Sequence, residues 1–182
     1  MAAQLTVKVS GIVQASPQRV FDAMTDPEQV AEWWGPEGFI CPAVSLDPRV
    51  GGAYRIAMQP PEGEIFHLAG EYLEVDPPSR LAYTFRWEPP DPDDRETVAR
   101  LVLHERDGAT EVELTQGTFT TEARRELHRD GWGESFDRLE HSAKLTRVDD
   151  EAVWSVVCFY VHPNAKRRGV AAALLEAAAE RA

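Results

Sequence analysis

A chain of 182 residues, 43% hydrophobic and 27% charged with both signs interspersed, has the size of one ordinary domain plus an appendage, and its composition excludes disordered and low-complexity classes. Its 31 acidic against 19 basic residues leave a formal charge of −12, which opposes binding to nucleic acid and to anionic membrane surfaces. Two cysteines, Cys41 and Cys158, share no CxxC or other metal spacing and read as reduced and structural; an opening without a basic n-region, and apolar runs far short of a membrane span, make a cytoplasmic location the expectation, with no membrane insertion.

Leu5 to Val13 alternates apolar and polar residues, which predicts a strand. Ser16-Pro17 then offers an N-cap with proline at the first helical position, and Asp26-Pro27-Glu28-Gln29 repeats the device with Gln29 placed for a capping box. Two short helices follow, with Val20, Phe21 and Met24 as the buried stripe of the first and Val30, Trp33 and Trp34 of the second, ended by Gly35-Pro36.

From Phe39 to Phe119 the pattern is a run of strands cut by turn residues: Asp47-Pro48, Gly51-Gly52, Pro60-Pro61-Glu62-Gly63, Asp76-Pro77-Pro78, the acidic stretch Pro89 to Asp94, and Asp107-Gly108. Tyr54/Ile56/Met58, Phe66/Leu68/Gly70/Tyr72, Leu81/Tyr83/Phe85/Trp87 and Val112/Leu114 each fall on one face of a strand, so an antiparallel meander with one buried face is expected. The cover it needs is a long helix from Thr121 to Lys144. Thr121 can cap it, and Trp132, Phe136, Leu139 and Ala143 supply its apolar stripe. The fold class is therefore α+β: a helix-grip arrangement of a curved antiparallel sheet, two short helices and a long final helix.

The segments Trp33-Trp34-Gly35-Pro36-Glu37-Gly38-Phe39, Pro77-Pro78-Ser79-Arg80-Leu81-Ala82-Tyr83-Thr84-Phe85 and Gly131-Trp132 occur in that order. Over roughly residues 5–143 they resemble the START-like (SRPBCC) superfamily, in the branch of homologues of the activator of heat-shock-protein 90 ATPase. Members of the superfamily bind lipids, steroids and polyketides, and some cyclise aromatic polyketides. The resemblance thus implies a small apolar ligand and names a chaperone as a candidate partner, although nothing here corresponds to the further domain with which the namesake engages the chaperone. Trp33, Trp34, Tyr54, Phe66, Tyr72, Tyr83, Phe85, Trp132 and Phe136 could line an apolar cavity under the last helix, or simply fill the core, and both readings stand at this point.

No catalytic constellation is legible. Arg55, His67, Arg86 and His104 lie within strands, but no Asp, Ser or Cys is spaced to orient either histidine, so His67 and His104 read as surface or structural residues. His128 and His141, thirteen apart on one helix, cannot meet around a metal.

The last forty residues differ in kind. Val153 to Val161 is nearly all apolar, and His162-Pro163-Asn164-Ala165-Lys166-Arg167-Arg168-Gly169-Val170-Ala171 leads into an Ala/Leu-rich helix. A buried strand that runs through a basic, glycine-containing turn to a helix N-terminus can hold a pyrophosphate on backbone N–H groups. The segment resembles the acetyl-CoA-binding part of the GNAT acetyltransferases, with Lys166 where that family usually has Arg or Gln. The resemblance implies acetyl-CoA as a candidate cofactor, held by Arg167, Arg168, Gly169, Val170 and Ala171. It lacks the strands that precede and follow this unit in a complete acetyltransferase. Some thirty residues cannot bury their own apolar faces, so packing on the first domain or a partner, a second copy of the chain included, or a truncated or fused chain is the expectation. The expected layout is a START-like domain at 1–143, a linker at 144–151 and a partial GNAT-like unit at 152–182.

Overall fold

The computed structural model describes residues 5–145; the expected coenzyme segment 152–182, with Arg167 to Ala171, lies outside them. Strand β1 (Thr6–Val13) is followed by helices α1 (Pro17–Thr25) and α2 (Pro27–Trp33). The caps are where the sequence puts them. Ser16 Oγ accepts from the Arg19 N–H at 3.5 Å and Asp26 Oδ1 from the Gln29 N–H at 2.9 Å, with Pro17 and Pro27 opening each helix. The Asp26 N–H donates to the Asp22 carbonyl (2.9 Å), so α1 ends on the residue that starts α2 and the capping box is not reciprocated by Gln29. Trp33, 1% exposed, locks the pair by donating its Nε1–H to the Ala23 carbonyl at 2.8 Å.

The meander consists of β2 (Ile40–Leu46), β3 (Ala53–Gln59), β4 (Phe66–Asp76), β5 (Arg80–Glu88), β6 (Thr97–Arg106) and β7 (Ala109–Gly117). β1 pairs antiparallel with β7, from Thr6 opposite Gly117 to Val13 opposite Thr110, which gives one open sheet in the order β1-β7-β6-β5-β4-β3-β2. Register shifts between Ile40 and Ala43 and between Tyr72 and Glu74 are bulges, devices that bend a strand. One face carries the core, with Tyr54, Ile56, Leu68, Tyr72, Leu81, Tyr83, Phe85, Leu101, Val112 and Leu114 all buried. Gly70 has a specific reason to lack a side chain: a Cβ there would land on the Thr84 carbonyl oxygen and stand 2.7 Å from the Tyr54 ring, which crosses the strand to donate its hydroxyl to that carbonyl at 2.6 Å.

Helix α3 (Glu122–Leu145) covers this face, as the sheet requires. Thr121 Oγ1 accepts from the Arg124 N–H at 3.2 Å, and Trp132, Phe136 and Leu139 form the buried stripe. α3 packs on β1, α1 and α2. The side-chain surroundings of Ala143, the fourth residue of the expected stripe, lie outside those described. Among the described residues, no helix is long and apolar enough to cross a membrane.

Candidate functional site

The aromatic side chains of the core separate into two groups. Tyr54, Tyr72 and Tyr83 stand with ring centroids 5.3 to 6.0 Å apart. Together with Trp33 and Trp34 they surround a gap of only about 20 Å³, room for about one water molecule, so this part of the core is filled. Burial raises the Tyr54 and Tyr83 phenols well above their usual range and Tyr72 to about 12, so all three stay neutral.

Beside it lies an open cavity of about 420 Å³ between the sheet and α3. Trp34, Phe39, Met58, Phe66, Phe85, Trp87 and Trp132 make its apolar wall. The rings meet edge to face, Trp34 against Trp132 at 5.2 Å and Phe85 against Trp87 at 5.1 Å, a packing that fixes their orientation. Of the nine aromatic residues the sequence proposes, Trp34, Phe66, Phe85 and Trp132 reach this cavity. Trp33, Tyr54, Tyr72 and Tyr83 do not, because they close the adjoining filled core. Phe136 lines neither space: it packs on β1, where a Cβ at Gly11 would stand 3.3 Å from Phe136 Cδ2.

The polar floor of the cavity is a chain of hydrogen bonds. Trp87 Nε1–H donates to His128 Nε2 at 3.2 Å, which places the His128 proton on Nδ1, 3.2 Å from Gln116 Oε1. Trp132 Nε1–H donates to the same Gln116 oxygen at 2.7 Å, and Gln116 Nε2 donates to Thr97 Oγ1 at 2.8 Å. Burial, with a smaller contribution from the Arg124 charge, pushes His128 down to about 4. His128 is therefore a neutral, structural histidine; sequence reasoning set it aside with His141, although it precedes Trp132 by one helical turn and shares its face. Trp87 and Phe39 were legible in the same way, on the period-two face of Phe85 and beside the Trp33-Trp34 motif.

The cavity opens where its exposed lining lies, at Pro89, Asp91 and Leu127. Here the acidic connection between β5 and β6 is clasped to α3. Arg124 ion-pairs with Asp91, with Asp93 at 2.8 Å and with Asp94 at 3.3 Å, while Thr121 Oγ1 donates to Asp93 at 3.0 Å. The Arg124 hydrogen bond holds Asp93 below the usual carboxylate range. In the sequence this stretch is legible only as an acidic break between strands, because its partner Arg124 lies 31 positions beyond Asp93.

On the other face of the sheet Arg55 and Arg86 form ion pairs with Glu88 and Glu96, His104 Nε2 lies 3.8 Å from Glu113 Oε2, and His67 alternates with the core residue Leu68; none of the four lines the cavity. Cys41 is buried, donates to the Trp34 carbonyl at 3.5 Å, and is raised to about 11 by burial, which makes it a poor nucleophile. Among the described residues, no group of three or more His, Cys, Asp or Glu is placed to hold a metal ion.

Comparison with known proteins places this architecture. The family model described as "Activator of Hsp90 ATPase homolog 1-like protein" matches residues 14–144, and that of the "Acetyltransferase (GNAT) family" matches 117–182. The matches overlap across the stretch that forms most of α3 here. A solved structure from Chromobacterium violaceum is 28% identical with a TM-score of 0.70, covering 76% of this chain and 96% of its own. The AHSA1 protein of Silicibacter pomeroyi is 27% identical with a TM-score of 0.67, covering 77% and 98%. A protein from Nitrosomonas europaea is 26% identical with a TM-score of 0.67, covering 80% and 97%. No curated protein matches the chain.

Proposed function

The chain belongs to the family of activator of Hsp90 ATPase homologue 1-like proteins, and from that premise we propose that it is a cytoplasmic binding protein for a small, flat, apolar ligand held between the sheet and α3. The cavity of about 420 Å³ carries this reading, because it falls in the range of roughly 300–1,000 Å³ typical of ligand sites and is walled by rings in fixed orientations. Trp34, Phe66, Phe85, Trp87 and Trp132 are the residues that would touch the ligand. Trp33, Tyr54, Tyr72 and Tyr83 would support them from the filled core. A chaperone contact of the kind the family name suggests is compatible with this reading and requires no cavity.

A second reading rests on the acetyltransferase match at 117–182: residues Arg167 to Ala171 would hold the pyrophosphate of acetyl-CoA. It supports only a partial site, since residues 122–145 of that match serve as α3 of the first domain.

One set of titrations on the full chain tests both. Nile red, a neutral apolar dye, is expected to bind saturably with a blue-shifted emission, and emission that rises without saturation overturns the cavity reading. Acetyl-CoA is followed in parallel by thermal shift, which grows with RT ln(1 + [L]/Kd) for a ligand of the native state. A saturable shift abolished in Gly169→Asp would support the coenzyme site; no shift would remove it.

A further inference from the structure

The cavity has a polarity that runs from floor to mouth. At the floor, the ring N–H groups of Trp87 and Trp132 and both nitrogens of His128 are hydrogen-bonded to one another or to Gln116, and the Ser135 hydroxyl donates to the Gly131 carbonyl at 2.7 Å. Among the described residues, no buried side-chain nitrogen or oxygen lacks a partner. A charged or strongly polar group pushed to this depth would lose its water and gain little in return. The lining's charges are Asp91, Asp94 and Arg124, of which Asp91 is the exposed one, beside Pro89 and Leu127 at the opening. The single guanidinium, its side chain 15% exposed, is shared among Asp91, Asp93 and Asp94, so the cluster keeps a formal surplus of two negative charges; the Asp94 side chain is 7% exposed and also accepts from the Asp91 N–H at 2.7 Å, which leaves Asp91, its side chain 66% exposed, as the carboxylate open at the mouth. Arg95 follows in the same connection but is exposed and off the lining.

We infer that the site selects amphiphiles with a protonated amine, which insert a flat apolar body among Trp34, Phe85, Trp87 and Trp132 and leave the ammonium beside Asp91, and that it discriminates against carboxylates of the same shape. Asp91 is then a specificity residue, and Asp93 and Asp94 add to the local negative charge. Position matters as well as sign, because at the mouth the ammonium stays partly hydrated while it faces the exposed Asp91 carboxylate. This inference rests on the cavity-binding reading and adds the chemical class of its ligand.

The test is displacement of Nile red from the full chain by naphthylethylamine, naphthylethanol and naphthylacetate, which share a ring system and differ in charge. The amine is expected to bind about tenfold tighter than the carboxylate at low ionic strength, with the alcohol between them, and the spread should narrow to about twofold near 1 M salt, where the screening length is roughly 3 Å. Asp91→Asn, at an exposed position, keeps the side chain's shape and an oxygen for Arg124 and should cut the ratio to about threefold. Asp107→Asn removes the same charge from the β6–β7 turn, away from the cavity, and should leave the ratio unchanged. A loss of ratio in both variants would mean that net charge alone acts, and would overturn the inference. So would a carboxylate that competes as well as the amine, while Nile red still binds. If Nile red itself does not bind, the cavity reading falls and this inference falls with it.

Discussion

His128 accepts a hydrogen bond at Nε2 and donates one at Nδ1, an arrangement open only to the neutral ring. Protonation would set an Nε2–H against the Trp87 N–H, two donors facing each other. Its folded pKa of about 4 lies below the ordinary 6.5, so between these values the unfolded chain holds a proton that the folded chain does not. Stability from this residue is therefore fully present above about pH 6.5 and is lost as pH falls through the folded value. Linkage puts the loss at about 3 kcal/mol. Urea unfolding at pH 7 and pH 4.5, in the natural chain and in His128→Gln, measures it. The variant should lose less on acidification, since glutamine can donate and accept without titrating. Equal losses would assign the acid sensitivity to the carboxylates instead. Gln116 belongs to the same account. A glutamine that shares the buried face with Val112 and Leu114 was legible as a polar residue in need of partners, whereas the partners themselves, Thr97 on β6 and His128 and Trp132 on α3, were not.

Helix α2 has seven residues and no basic residue in its last turn, so its C-terminal carbonyls need partners from elsewhere. Arg138 of α3 supplies them: Nη1 lies 2.9 to 3.1 Å from the carbonyls of Trp34, Gly35 and Pro36, and Nη2 lies 2.8 Å from that of Glu32. This one side chain joins the end of α2, the Trp34–Pro36 wall of the cavity and the covering helix. Arg138→Ala should lower stability by about 2–3 kcal/mol, because charge-assisted bonds to semi-buried carbonyls are lost together. Arg138→Lys should recover only part, since a single ammonium cannot span four carbonyls. Urea midpoints give the first quantity, and weaker Nile red binding in both variants would show that the wall loosens with the cap. A change below about 0.5 kcal/mol in the alanine variant would mean that water caps α2 equally well. The helix starts at Ser16, Asp26 and Thr121 were legible because a cap is a local pattern. The Arg138 contact was not, because it joins residues about a hundred positions apart.

The meander was readable from its period-two faces and turn residues, and its cover from the Trp132-Phe136-Leu139 spacing, because burial of one face repeats along each element. Which aromatic residues bound a space and which fill it was not readable, since Tyr83 and Phe85 lie two apart on one strand, with the same alternation and opposite fates. That division depends on how far α3 stands from each strand, a property of the whole assembly. The charge of −12 is another such property. Self-repulsion of this size opposes the compact state, while local ion pairs favour it. Most described pairs are exposed, as in Arg49–Asp47 and Arg129–Asp130, and each such pair contributes at most about 1 kcal/mol, itself weakened by salt. The summed repulsion is the larger effect, so added salt should raise the melting temperature by a few degrees as the screening length falls from about 30 Å to about 8 Å. The gain should shrink toward about pH 4.8, the isoelectric point that the composition implies. Melting curves in sodium chloride and in choline chloride separate screening from specific cation binding. A melting temperature that falls with salt at pH 7 would instead put the balance on local pairs, with the Arg124 clasp the first place to look.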